Sequence, residues 1–252
     1  AVAHNYEREH PHLNMWFVVS VADPTEIDPV LDAIAAETGQ TPYNLPKLRE
    51  FRVEAKFPLA GPLEEAAIDL TDVGGPAPAP AEGPLSAADR ALLTEIQDGF
   101  PLGRRPYATI AAALDEEAAW VRERLRALLA AGMLRRIGVI PNHYRLGYSH
   151  NGMTVWDVPD DRITEVGPAV ASLPFVTHCY QRPRHEGVWP YNFFAMTHGR
   201  SAAESDRRIR QVEETMAEYW EVGEDDWDSL FSTQILKKTG IRLDERADAN
   251  TE

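Results

Sequence analysis

Two distant stretches of this 252-residue chain write the same line of side chains. Near the start it reads AVAHNYEREHPHLNMWF, and from residue 175 it reads FVTHCYQRPRHEGVWPYNFF. Both contain His-x-Tyr-x-Arg, as His4, Tyr6 and Arg8 and again as His178, Tyr180 and Arg182. Both then carry another histidine, His10 or His185, and an asparagine, Asn14 or Asn192, before an apolar run. An internal repeat limits the fold strongly, because both copies must build the same local structure. In a strand, residues i, i+2 and i+4 share one face, so each triplet points one way. The apolar alternation behind each row is imperfect: Val2 is out of phase with Ala3, and Val176 with Cys179. A single polar row would be a solvated sheet face. Two rows with the same residue types in the same order predict a surface that faces a ligand.

The segments around the rows set the domain plan. Residues 61–84 are rich in Pro and Ala and hold no Lys or Arg, which predicts an extended interdomain linker. After it, a helix is expected from Ser86, a second from Pro106 and a third ending at Gly132, followed by a short strand. That is a winged helix-turn-helix over 85–140. Residues 141–243 then read strand, helix, strand, strand, helix, strand, the ferredoxin-like βαββαβ order, ahead of an acidic tail at 244–252. Residues 1–60 repeat only the second half of that order: LNMWFVVSV matches YNFFAMTHG, and KLREFRVEAKFPL matches the last strand. The expected fold class is therefore α+β, with the first ferredoxin-like unit incomplete at its N-terminus. An absent N-terminal portion, including a second helix-turn-helix, or another chain is expected to complete it.

The residue types in the rows suggest a chemistry. Arg presents a planar fork to carboxylates. His can supply a proton near neutral pH, and Tyr can donate a hydrogen bond or orient the His. Arg184 extends the second row, and His12 follows His10 in the first. Lys47 and Arg49 begin a strand expected beside the first row. The net charge of -15 argues against broad nucleic-acid binding. The start of the third helix is also unsuited to phosphates, since it carries Asp115, Glu116 and Glu117. Arg122, Arg124 and Arg126 lie deeper along that helix, and Trp120 and Leu125 are expected in its core. The helix-turn-helix is thus expected as architecture, with DNA binding lost. A single cysteine, Cys179, excludes an intrachain disulfide and favours a reducing cytoplasm. No apolar run approaches the roughly 20 residues of a membrane span, and no His/Cys/carboxylate cluster has zinc spacing.

A helix-turn-helix joined to a βαββαβ domain is the layout of the Lrp/AsnC regulators. The stretches HNYEREHPHLNMWF, NLPKLREFRV, GFPLGRRPYATIAAAL, GMLRRIGVIPNHYRLGYSHNGMTVWDVP and HCYQRPRHEGVWPYNFFAMTHG resemble the siroheme decarboxylases, which are built on that layout. The resemblance implies decarboxylation of siroheme to 12,18-didecarboxysiroheme in heme d1 or alternative heme biosynthesis. It implies no added cofactor, iron entering only with the substrate, and a homo-oligomer. His4 and His178 would be general acids or positioning groups, with His10 and His185 as competing candidates. Arg8, Arg182 and Arg184 would clamp carboxylates, and Tyr6, Tyr180, Asn14 and Asn192 would orient them. Two non-enzymatic alternatives share the fold: an Lrp/AsnC-type transcriptional regulator and a non-catalytic heme-binding protein. The segment from Arg182 to Asn192 is four residues longer than that from Arg8 to Asn14, so the two sites should differ.

Overall fold

A polar strand and an apolar one, separated by a turn that contains Pro11 and Asn14, make the N-terminal stretch a hairpin. β1 (Val2–Arg8) turns into β2 (Met15–Val19), and α1 (Ile27–Thr38) follows. Gly39 ends α1 in the left-handed region at φ 68, where its N–H bonds to Ala35 O. β3 (Arg49–Val53) completes this part. The computed structural model describes residues 2–21, 23–54, 85–134, 136–139 and 142–238. The predicted linker and the acidic tail lie wholly outside them.

Residues 85–134 form α2 (Ala87–Ile96), α3 (Pro106–Ala113) and α4 (Ala118–Ala130). Ser86 caps α2 by accepting from Asp89 N. Leu92, Ile110, Val121, Leu125 and Leu128 are the buried core, with Trp120 packed against it. Arg124, one of the arginines deeper along α4, holds the buried Asp89 through two 2.6 Å hydrogen bonds. The Arg124 guanidinium keeps the Asp89 carboxyl below the usual carboxylate range. The wing strand predicted after α4 is not formed by residues 136–139. Ile137 and Val139 there are exposed, without the partner strand a wing needs.

The chain then runs through β4 (His150–Trp156), α5 (Ile163–Ala171), β5 (Val176–Gln181), β6 (Phe193–Gly199), α6 (Ala202–Ala217) and β7 (Trp227–Lys238). This is the predicted βαββαβ order. α5 and α6 cover one face of the sheet, burying Trp156, Val176, Cys179, Phe193 and Ala195 beneath Val166, Val170, Val212 and Met216. The N-terminal strands join the same sheet, in the order β2-β1-β7-β4-β6-β5-β3. Among the described residues, those of 2–54 and 142–238 form one compact unit and those of 85–139 another.

One expectation is corrected by this order. β3, with Lys47 just ahead of it and Arg49 at its start, pairs with β5 and so borders the second row, not the first. The reason is that each half lends its last strand to the other. β7 pairs with β1 as β3 pairs with β5. The registers agree: Tyr6 opposes Ile235 as Tyr180 opposes Glu50, and His4 opposes Lys238 as His178 opposes Val53. The imperfect apolar alternation also has a cause. Both rows contain a register shift at the same place, between Val2 and His4 and between Val176 and His178. An extra residue in a bulge resets which side chains face the helices.

Packing of β3 onto the second half depends on a missing side chain. The Phe51 ring lies against Gly167 of α5 so closely that a Cβ at Gly167 would overlap it. Gly167→Ala should therefore destabilise the fold by about 1–3 kcal/mol through overpacking, measured by urea unfolding. In the double variant with Phe51→Ala the two effects should be clearly non-additive. Additive losses would show that the close approach carries no strain.

Candidate functional site

Strand geometry brings His4, Tyr6 and Arg8 together in the first row and Tyr180 and Arg182 in the second. The His4 and Tyr6 rings stack at 6.2 Å, and the Arg8 guanidinium lies 5.6 Å from the Tyr6 ring centre. In the second row Arg182 lies 4.7 Å from the Tyr180 ring and 5.6 Å from that of Phe194. Both arginines are anchored alike. Arg8 Nη1 donates to Leu230 O at 2.9 Å, and Arg182 Nη1 donates to Leu45 O. Leu230 precedes Ile235 by as many residues as Leu45 precedes Glu50, so these anchors are equivalent in the repeat.

The rows are joined by aromatic residues on the sheet face away from α5 and α6. Tyr6 is paired with Trp16 across β1 and β2, and Tyr180 with Phe194 across β5 and β6. The Trp16 and Phe194 rings meet at 6.1 Å, and Trp16 meets Trp189 at 5.2 Å. Trp189, Phe194, Val155 and Leu230 are fully buried there, with Leu13, Leu45 and Met153 around them. The rows are also coupled electrostatically. Burial lowers the pKa of Arg8, while the phenols of Tyr180, Tyr6 and Tyr144 act to raise it. Burial likewise raises that of Tyr6, against the opposing charge of Arg8. Two buried donors, Arg8 Nε and Trp189 Nε1, have no hydrogen-bond partner among the described residues. Such donors are costly unless an acceptor arrives.

Other predicted residues already have work inside the chain. Arg184 binds Asp157 and Asp160 and donates to Val158 O at 2.7 Å. Asn192 is buried; its Oδ1 accepts from Val158 N and its Nδ2 donates to Val158 O, both at 2.9 Å. Together they brace the turn after β4. Lys47 pairs with Glu50, and the exposed Arg49 lies 6.0 Å from the Phe51 ring. Asn14 is exposed, and its backbone O accepts from Arg8 N. His10 shapes the first hairpin loop: its Nδ1 accepts from His12 N and Leu13 N. Burial, with His12 nearby, pushes His10 below the usual imidazole range despite Asp228. His185 Nε2 donates to Asn44 O at 2.8 Å, and its ring meets Tyr43 edge-on. The loops carrying these histidines converge, as His10 packs against Trp189 at 5.3 Å. A recess of about 240 Å³ between them is lined by His12, Leu13, Tyr43, Gly187 and Val188.

His178 stands in a polar cluster that sequence reasoning missed. Thr177 Oγ1 lies 3.0 Å from His178 Nδ1 and 2.9 Å from His198 Nε2. His198 Nδ1 lies 2.6 Å from Asn151 Oδ1, and the His143 ring packs edge-on to His198 at 5.5 Å. The buried Arg208 donates to His198 O. Burial, together with His143, His178 and Arg208, pushes His198 down to about 3. The available signal was the broken alternation between Val176 and Cys179, which spans Thr177; His198 itself looks like the polar end of an apolar strand.

Residues 1–52 and 145–237 match the AsnC-like ligand binding domain family, and 89–135 match the siroheme decarboxylase NirDL-like HTH domain. The chain is 50% identical over 154 residues to the siroheme decarboxylase NirH subunit of Pseudomonas aeruginosa, covering 61% of this chain and 88% of that one. It is 36% identical to the siroheme decarboxylase NirDL subunit of Paracoccus denitrificans, covering 98% of this chain and 72% of that one. Among solved structures it is similar to siroheme decarboxylase NirDL in complex with an iron-uroporphyrin III analogue. The TM-score there is 0.62 at 30% identity, covering 96% of this chain and 65% of that chain.

The pKa of His198 has a consequence for stability. Its folded value lies below the ordinary 6.5, so between the two the unfolded chain binds the extra proton. The contribution is complete above pH 6.5 and is lost as pH falls toward about 3. Unfolding free energy should therefore drop with a slope approaching about 1.4 kcal/mol per pH unit from this one group. Urea unfolding between pH 6.5 and about 4.5, above the main carboxylate range, should show the slope, and His198→Gln should flatten it.

Proposed function

The chain belongs to the siroheme decarboxylase family, and we propose on that footing that it is a carboxy-lyase that removes carbon dioxide from two acetate side chains of siroheme. The product is 12,18-didecarboxysiroheme. The observation that carries this reading is the pair of equivalent His-Tyr-Arg rows joined by one aromatic cluster. A flat macrocycle rimmed with carboxylates needs apolar surface for its rings and cations for its rim. The partly exposed Tyr6 and Trp16 supply the first, backed by the buried Trp189 and Phe194, and Arg8 and Arg182 the second. Arg8 is the better placed clamp, since its buried Nε–H lacks an acceptor among the described residues. Tyr6 and Tyr180 hold the guanidinium groups over their rings and orient what they bind. Arg184 and Asn192 act at one remove, through the turn they brace.

The chemical step needs little beyond positioning. The bond between the acetate methylene and its carboxylate breaks, and CO2 leaves. The electron pair stays on the methylene and spreads into the macrocycle. A proton from an imidazolium then forms the new C–H bond and leaves a methyl group. His178 is the favoured donor in the second row, and His4 is its counterpart in the first. His10 and His185 each use one ring nitrogen to hold backbone and fit a role at the loops. Iron enters with the substrate, and the reaction requires no further metal or organic cofactor.

Anaerobic incubation with siroheme followed by mass spectrometry tests the reading. The expected result is loss of two CO2 equivalents. Binding of siroheme with its mass unchanged would make the protein a carrier, and retention of a promoter fragment without turnover would make it a regulator. Arg8→Ala should weaken substrate binding by about 10- to 100-fold, the range for removing a charged hydrogen-bond donor. Spectroscopic titration with siroheme measures that loss.

A further inference from the structure

The hydrogen bonds around His178 fix where its protons sit. Asn151 sets the direction. Its Nδ2 donates to Tyr148 O at 3.2 Å and also faces His143 Nε2 at 3.4 Å. Its Oδ1 is therefore the atom 2.6 Å from His198 Nδ1. An amide oxygen only accepts, so His198 carries hydrogen on Nδ1. His198 is neutral at working pH, as burial and the neighbouring His143, His178 and Arg208 require. Its Nε2 then accepts, and the Thr177 hydroxyl donates to it at 2.9 Å. The competing acceptor, Met196 O, is 3.5 Å away. A hydroxyl has one proton, so Thr177 Oγ1 must accept from His178 Nδ1 at 3.0 Å. His178 is left with hydrogen on Nδ1, and the proton it exchanges is the one on Nε2.

We propose that His198 is a positioning residue for His178, acting through Thr177 to hold the tautomer in which Nε2 is the proton-donating nitrogen. This rests on the reading that His178 protonates the substrate. When the imidazolium gives up its Nε2 proton to the methylene, the Nε2–H bond breaks and the C–H bond forms. The Nδ1–H bond is unchanged, and the positive charge leaves with the proton. The neutral ring that remains is the tautomer the relay already holds, so nothing reorganises during transfer. Arg208 and Glu204, an ion pair with a 2.6 Å contact, fix the backbone at His198 and so the reach of the relay.

The two relay side chains have no counterparts at the matching positions of the first half. Ala3 precedes His4 where Thr177 precedes His178, and Ser20 follows Asn14 at the distance His198 follows Asn192. Neither the hydroxyl nor the second imidazole is present in the sequence there. The Thr177–His198 arrangement is therefore particular to the second row.

Ring nitrogen and carbon shifts of isotopically labelled histidine in the full chain test this without substrate. Neutral His178 should carry its proton on Nδ1 in the wild type and in Thr177→Ser, and shift toward Nε2 in the near-isosteric Thr177→Val. With siroheme, Thr177→Val should lower kcat about tenfold or more, as loss of a tautomer-holding partner does, with KM unchanged and activity restored in Thr177→Ser. Wild-type His178 with its proton on Nε2, or equal losses in the Val and Ser variants, would overturn the inference alone. Full turnover in His178→Ala would overturn the reading beneath it.

Discussion

The exchange of last strands between the two halves, β7 to β1 and β3 to β5, is the constraint on which the site depends. In a sheet a slip of one residue turns every side chain to the opposite face. The matched registers at Tyr6–Ile235 and Tyr180–Glu50 fix the facing of the two His-Tyr-Arg rows. The same exchange supplies the carbonyls of Leu230 and Leu45 that hold the arginines. Each row is thus oriented by a strand from the half to which it does not belong. The bulge before each histidine breaks the ladder locally, which a neighbouring strand on both sides makes tolerable.

Recognition in such a site must act at short range. A chain with a net charge of -15 repels a polycarboxylate in solution, but salt screens that repulsion beyond about 8–10 Å. Inside the proposed site, the buried guanidinium of Arg8 lies among the phenols of Tyr6, Tyr144 and Tyr180, where little water competes for its donors. The acidic surface and the basic rows therefore do not contradict one another.

How much of this was legible in the sequence follows from range. The rows were legible because period-two spacing is local, and the repeat supplied a second reading of the same pattern. The three helices of 85–134 followed from Ser86, Pro106 and the apolar positions around Leu125. The strand beside each row was not legible, because β3 and β5 lie far apart in the chain and either row offered β3 a plausible neighbour. Arg184 and Asn192 have the right chemistry for a ligand, but their partners Asp157, Asp160 and Val158 lie in another loop. Val2, Ala3, Val176 and Cys179 recorded the bulges as broken alternation, a signal that has no meaning until the facing strand is known. His198 escaped notice because a buried histidine and the polar end of a strand look the same in a sequence.

The β1–β7 pairing also sets an order of events in folding. His4 lies opposite Lys238, so nearly the whole described chain separates the two strands. During synthesis the hairpin of β1 and β2 is made well before β7 and must wait for it. Until then its outer edge offers unpaired N–H and C=O groups to any passing strand. Closing so long a loop is slow, which makes the interval one in which newly made chains are exposed to misassembly. The contact that fixes the first row's orientation can form only after β7 has been made.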